Sequence, residues 1–392
     1  MDKIVLKEAP RGMLRFGHPW VYKNQIHAVS GSPAPGDVIS VESKKGRFLG
    51  IGYFNPQSEI SVRLLSRELH VIDKNFILAK VKKALDFRKQ VVRETNAYRV
   101  VSSEADGLPG LIVDLYDEVL VVQFLTLGME RLKPLVIEAL GELIPSRGIY
   151  ERSDSSSRSL EGLEARTGWI RKDCGDEVTV FEKDVRFSVA LGEGHKTGLY
   201  LDQRENRLFS RDWVSGGEVL DAFCYEGAFG LHLAKSGNQV LGMDTQKEAI
   251  LRAESHRKLN GISEERLRFK AGNVFEELKA LEKEKRKFDL VILDPPSFVK
   301  KKEALEGALS GYKEILLRAM KLLKEGGRLA VFSCSYVIDD TLLMQVSLSA
   351  AMDVKKDLRV LKFLKQSGDH PIHPFIPETY YLKGFLFQVA SI

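Results

Sequence analysis

Residues 219–244 read VLDAFCYEGAFGLHLAKSGNQVLGMD. Val219-Leu220-Asp221 is apolar and ends on an acid, as a strand does when it leaves a core. Asp221-Ala222-Phe223-Cys224-Tyr225-Glu226-Gly227 then makes a turn, and Ala228–Lys235 has helical spacing. Gln239–Asp244 is a second strand, again closed by an acid. The pattern repeats outward: a helix over Glu248–Leu259, a third strand at Arg268–Ala271 and a fourth at Phe288–Asp294. A further helix over Tyr312–Leu323 stops at Lys324-Glu325-Gly326-Gly327, and Arg328–Cys334 is a fifth strand. Strands alternating with helices predict an open, mostly parallel α/β sheet, and such sheets bind ligands beyond the carboxyl ends of their strands.

The polar residues collect at those ends. Gly227 permits close backbone approach to a ligand, and the helix behind it offers free amides. A single glycine is not the three-glycine dinucleotide fingerprint, so an oxidoreductase reading is weak. Asp221 is either a turn former or a contact for an amine or ribose. Asp244, about 20 residues on, stands where a carboxylate accepts from a ribose diol. Asn273, after the third strand, either reads an adenine edge or caps a helix. In Asp294-Pro295-Pro296-Ser297-Phe298 the prolines enforce a stiff, extended exit, which holds an acceptor in the crevice and offers Phe298 for stacking.

Cys334, in Ser333-Cys334-Ser335, falls on the same rim. A thiolate there can attack C6 of a cytosine and make C5 nucleophilic, although a free cysteine is more often a small packing residue. Cys224 and Cys174 read as packing residues. Three widely spaced cysteines make neither a metal knuckle nor a disulfide framework, so a reducing cytoplasm is expected and no metal. No apolar run nears the roughly 20 residues of a membrane span, and the N-terminus lacks a signal-peptide core.

The 392 residues allow two or three domains. Residues 1–70 read as short strands with Gly/Pro turns, and residues 71–185 as an α+β unit. That unit contains a helix from Asp73, a hairpin at Leu111–Phe124 and returning strands at Gly148–Arg152 and Val178–Glu182. The net charge of +5 hides an asymmetry: residues 1–100 carry 18 Lys+Arg against 9 Asp+Glu. Such a front end either attracts polyanions or is only a solvated face. The bases on the first helix, Lys80, Lys82, Lys83, Arg88, Lys89 and Arg93, read as its wet face.

These motifs give the chain a nearly full-length resemblance to the RlmI-type bacterial 23S ribosomal RNA methyltransferases, S-adenosylmethionine-dependent enzymes that form 5-methylcytosine. Arg15-Phe16-Gly17-His18-Pro19-Trp20-Val21-Tyr22 and Gly46–Pro56 resemble that family's PUA domain, and Ala105–Asp114 its central domain. Lys196–Arg207 is similar to the lead-in to its methyltransferase domain. The resemblance implies a class I methyltransferase (Rossmann-like) domain at 186–392, a small β-barrel PUA domain at 1–70 and a central α+β domain at 71–185. It implies that Tyr200, Gln203, Arg204, Asp221, Phe223, Gly227, Asp244, Asn273 and Asp294 hold S-adenosyl-L-methionine. Cys334 then takes the nucleophile position, with Asp294 facing the substrate. The implied partner is 23S ribosomal RNA, held by phosphate contacts among Arg11, Arg15, Lys44, Lys45, Arg47, Lys82 and Lys83; no membrane partner is implied, and a homodimer stays open.

A related branch uses the same Asp-Pro-Pro platform to methylate a guanine nitrogen, which needs no covalent activation; Ser333-Cys334-Ser335 favours carbon. A non-catalytic RNA-binding or ribosome-assembly factor is the other alternative, motivated by the basic front end.

Overall fold

The computed structural model describes residues 2–7, 17–192, 199–298 and 305–392. Arg11, Arg15, Phe16 and Lys196-Thr197-Gly198 lie outside them. By its contacts the chain divides into two units: Met1–Val180 with Val189–Leu201 and Gly368–Thr379, and Phe181–Ser188 with Asp202–Ser367 and Tyr380–Ile392.

The first unit opens with strands β1 (Lys3–Leu6), β2 (Trp20–Val21), β3 (Ile26–Ser30), β4 (Val38–Ser43), β5 (Phe48–Phe54) and β6 (Val62–Ser66), in the sheet order β2-β6-β5-β4-β1-β3. Ile4, Val21, Ile39, Val41, Val62 and Leu64 fill its core. The turn between β4 and β5 carries Lys44, Lys45 and Arg47, all exposed.

Helix α1 (Lys74–Val91) starts at Asp73, whose carboxylate accepts the Phe76 N–H at 2.9 Å and caps the first turn. Its buried stripe is Ile77, Val81, Ala84 and, one turn on, Arg88. Arg88 was expected on the wet face, yet it is 1% exposed. Asp106 takes both ends of its guanidinium at 2.6 and 2.7 Å, and the carbonyls of Arg99 and Asp369 accept from it as well. Lys82 and Lys89 do face water, pairing with Asp86.

Strands β7 (Ala97–Ser102), β8 (Leu111–Tyr116) and β9 (Val119–Phe124), helix α2 (Leu127–Leu143), and strands β10 (Gly148–Ser153) and β11 (Arg166–Lys172) complete the central sheet, ordered β11-β10-β9-β8-β7. Both helices bury their apolar stripes in one core with Val113, Leu120, Val122 and Phe124. The expected strand at Val178–Glu182 does not join this sheet. As β12 (Glu177–Glu182) it pairs with β13 (Val185–Ala190) in a separate two-stranded ribbon, and β11 takes the edge position beside β10.

The second unit contains α3 (Arg204–Ser210), β14 (Glu218–Ala222), α4 (Ala228–Lys235), β15 (Gln239–Asp244), α5 (Lys247–Leu259), β16 (Leu267–Ala271), α6 (Val274–Lys283) and β17 (Phe288–Leu293). After these come α7 (Leu305–Leu322), β18 (Leu323–Ser333), α8 (Asp340–Asp353), β19 (Lys356–Lys365) and β20 (Lys383–Ser391). The strand order is β16-β15-β14-β17-β18-β20-β19, parallel except that β20 runs antiparallel between β18 and β19. β14 and β17 are buried almost throughout, as central parallel strands are. The order reverses between them, and in open α/β sheets ligands bind beyond the carboxyl ends at such a switch point.

One boundary differs from expectation. Lys324–Gly327 does not separate helix from strand: β18 begins at Leu323, which pairs with Phe288. An irregularity in the pairing, with Gly326 at φ +70°, absorbs the extra residues before Arg328 meets Leu290.

Candidate active site

The turn after β14 is built by an unusual backbone. Phe223, Tyr225 and Gly227 all take positive φ, 65°, 50° and 77°, and two of them carry side chains that disfavour it. A side chain on Gly227 would run into the ring of Phe269, so this glycine serves packing between the turn and β16 as well as backbone freedom. Asp221, 1% exposed, accepts the Gly230 N–H at 3.0 Å on one oxygen. Its other oxygen, Oδ1, is buried with no hydrogen-bond partner among the described residues. Burial pushes this carboxyl up to about 7; the Gly230 amide pulls it back, and the charges of Asp294 and Asp244 push it further up.

Asp244 ends β15 and is held by two backbone amides, Tyr225 N–H on Oδ2 and Gln246 N–H on Oδ1, both at 2.9 Å. Asn273 caps α6, its Oδ1 accepting the Phe275 N–H at 3.0 Å. That is the cap reading, and the residue is exposed. Cys224 is buried among Asp221 and Asp244, and burial first, then those charges, push its thiol well above its usual range. It is a packing residue.

Asp294 follows β17 and accepts from Gln203 Nε2 at 3.0 Å; Gln203 Oε1 in turn accepts from Asn206 Nδ2 at 2.7 Å. Gln203 and Asn206 are buried, so the acid is braced by a fixed amide relay rather than by a mobile side chain. Arg204, the first residue of α3, is 1% exposed. Phe298 lies in an aromatic cluster, 5.0 Å from Tyr312 and about 6 Å from Phe275 and Phe223, ring centre to ring centre. Tyr200 belongs to the first unit.

Cys334 stands just past β18 and is exposed, while Ser333 and Ser335 on either side are buried. The Tyr312 hydroxyl donates to the Phe332 carbonyl at 3.2 Å. Burial raises its pKa, and among the smaller influences are the charges of both Cys334 and Asp294, which places the hydroxyl near each of them. Two groups near this rim escaped the sequence reading. Tyr312 read as a helix position, and Lys383, at the start of β20, reaches Cys334 only through strand pairing, Ser333 being opposite Lys383.

The residues present fit a nucleoside cofactor. Asp221 offers an orphaned buried acceptor beside a turn of strained backbone, and Asp244 is a preset acid at the end of the neighbouring strand. Residues 161–388 match the family described as S-adenosylmethionine-dependent methyltransferase, and residues 4–67 match the PUA-like domain family. Fold and site thus define an S-adenosylmethionine-dependent methyltransferase, with a PUA-like domain at its front. A Streptococcus mutans protein described as an S-adenosylmethionine-dependent methyltransferase has the same fold, with a TM-score of 0.84 at 19% identity, covering 99% of this chain and 100% of that one. So has a methyltransferase solved in complex with S-adenosylhomocysteine, with the same score, identity and coverage. The chain is also 38% identical, over 393 residues and 99% of both chains, to the ribosomal RNA large subunit methyltransferase I of Shewanella denitrificans. It belongs to the ribosomal RNA large subunit methyltransferase I family.

Proposed function

We propose that the chain methylates C5 of a cytosine in 23S ribosomal RNA through a covalent adduct on Cys334. The observation that carries this reading is the exposed Cys334 at the carboxyl end of β18, beside the strand that delivers Asp294. The name of the Shewanella relative supports the RNA class, and the PUA-like match supports an RNA-holding front end. In the proposed division, 1–70 and 71–185 precede a catalytic domain at 186–392.

Bound S-adenosylmethionine supplies an electrophilic methyl group. Asp221, Phe223, Gly227, Asp244 and Asn273 would hold it, with Gln203 and Arg204 supporting its pocket. The chemistry of this chain's residues then runs as follows. Cys334 Sγ, as thiolate, bonds to C6 of the cytosine, and the ring electrons move to C5, which becomes nucleophilic enough to accept a methyl group. Loss of the C5 proton to a base restores the C5–C6 double bond and expels Sγ. Asp294, stiffened by Gln203 and by Pro295-Pro296, accepts from the amino edge of the base and holds it in register. A cytosine in a helix must leave the stack to reach this rim. Lys44, Lys45 and Arg47, exposed and with no ion-pair partner among the described residues, are the phosphate contacts this reading favours, with Lys82 and Lys83.

The direct test incubates the protein with unmodified 23S RNA and methyl-labelled S-adenosylmethionine, then digests the RNA and maps the label by mass spectrometry. Label on cytosine C5 is expected. Label on a guanine nitrogen would replace the reading, and tight RNA binding without any transfer would favour the assembly-factor alternative.

Asp221 gives a second check. If its ionised carboxylate meets a cationic or amine group of the cofactor, affinity should rise as the pH passes through about 7, where this carboxyl ionises. Calorimetry should show S-adenosylmethionine binding tighten between pH 6 and pH 8 in the wild type. In Asp221→Asn it should stay flat and be about tenfold weaker at pH 8. The same slope in both proteins would remove Asp221 from that contact.

A further inference from the structure

Lys383 is a cation in the wrong place for a structural lysine. It is 4% exposed, at the first position of β20, directly opposite Ser333 of β18. Its ammonium donates to two carbonyls, Ser335 at 3.1 Å and Tyr381 at 3.3 Å. The ring centres of Tyr380 and Tyr336 lie 5.3 and 5.9 Å away. No carboxylate lies within 4 Å among the described residues. A buried ammonium with carbonyls and aromatic faces alone is under-compensated, and burial lowers its pKa. Three anions oppose that: Asp340 and Asp339 at the N-terminus of α8, and Cys334. The sulfur is the one that chemistry requires as an anion.

We propose that Lys383 is a positioning residue for Cys334, its fixed ammonium holding the thiol as a thiolate for attack on the pyrimidine. This rests on the reading of Cys334 as nucleophile. The lysine grips the carbonyl of the residue after Cys334 and faces the residue before it across the sheet, so the positive charge is tied to the short stretch that carries the sulfur. A nearby cation lowers a thiol's pKa by favouring its charged form. In the step itself the Sγ–H bond breaks, the proton passes to solvent, the electron pair stays on sulfur, and Lys383 keeps its own proton throughout. Asp294 and the raised Tyr312 hydroxyl lie on the β17 and α7 side, Asp339 and Asp340 on α8, Tyr336, Tyr380 and Tyr381 around the ammonium, and Lys365 opposite on β19 is exposed. The acids oppose thiolate formation, and Lys383 is a buried cation that favours it.

The test is the pH dependence of Cys334 alkylation by iodoacetamide in the intact protein, followed on its own peptide by mass spectrometry. Lys383→Met removes the charge at similar volume, and Lys383→Arg keeps it. The alkylation midpoint should rise by at least one pH unit in K383M and stay within a few tenths in K383R. Methyl transfer at pH 7 should fall ten- to hundredfold in K383M through kcat, with the KM for S-adenosylmethionine unchanged, and should recover toward pH 9. An unchanged midpoint in folded K383M overturns the proposal. Should K383M not fold, the wild type decides: a midpoint at or above the free-thiol value of about 8.5 overturns it. The alkylation readout needs no RNA, so it separates from the nucleophile assignment, which fails on its own if Cys334→Ala turns over normally.

Discussion

Cys334→Ala is expected to bind S-adenosylmethionine as the wild type does and to transfer methyl groups at least about a thousandfold more slowly. The size follows from the chemistry. Aromatic C5 of cytosine is a poor nucleophile, and without a bond at C6 no electron pair is delivered to it, so losing the thiol removes a step rather than weakening one. The location of the thiol says why binding should survive. Cys334 is exposed beyond β18, whereas Asp221 and Asp244 close β14 and β15 on the other side of β17, and Cys334 fills no part of the core. Equilibrium binding of S-adenosylmethionine and single-turnover methylation of unmodified RNA measure the two halves separately. Cys334→Ser should be nearly as impaired, because a serine hydroxyl stays protonated and is a far weaker nucleophile at neutral pH. Cys224→Ser, by contrast, should keep most of the turnover, since that thiol is buried and its pKa is pushed up. Unimpaired turnover by Cys334→Ala would sink the covalent route and return guanine-nitrogen methylation to consideration.

Much of the sheet was legible because parallel strands leave local signals. An apolar run that ends in an acid and a turn is visible in ten residues, and so the ends of β14, β15 and β17 were all placed with Asp221, Asp244 and Asp294 upon them. What depended on distant pairing was not legible. β20 is inserted between β18 and β19, and nothing local to residues 383–391 says so. The neighbour of Lys383 in space is Ser333, on a strand far from it in sequence. Arg88 shows the same limit from the other side. It falls on the buried stripe of α1, four residues after Ala84, yet its charge argued for the surface until Asp106 was seen to neutralise it. Gly227 was read as a concession to a ligand, and the residue that also demands it is Phe269, on a strand 42 residues later. Local chemistry is written along the chain, but a compensating partner is not.

The same lesson predicts the largest stability effect in the second unit. Glu182 at the end of β12 is fully buried, and Arg207 of α3 grips both its oxygens, with Nε at 2.8 Å; His232 of α4 adds Nε2 at 3.1 Å. Burial alone would push this carboxyl up. Arg207 and His232 outweigh it and hold it down at about 2. His232 is itself pushed down by burial, and its Nδ1 has no partner among the described residues, which fits a neutral ring donating from Nε2. Glu182→Gln leaves the Arg207 charge buried with no counter-ion and should cost about 3–5 kcal/mol, lowering Tm by roughly 10 °C for a unit of this size. Replacing both partners by apolar residues, Glu182→Leu with Arg207→Met, should recover much of that loss, because the expense lies in the unpaired charge. The pH dependence has a definite sign. A carboxyl depressed on folding binds fewer protons in the native state, so its contribution is complete above the unfolded value of about 4.5 and fades as the pH falls toward 2. His232, also depressed, works in the same direction below about 6.5. The gap between wild type and Glu182→Gln should therefore be wide at pH 6 and narrow by pH 3, as read by urea denaturation. A loss under 1 kcal/mol at pH 6 would show that the triad is not what holds this unit. The consequence reaches the site, because α3 begins immediately after Gln203 and α4 immediately after Gly227. Loosening their shared anchor frees both the brace on Asp294 and the turn beside Asp221, so Glu182→Gln should also weaken S-adenosylmethionine binding at temperatures where the chain is still folded.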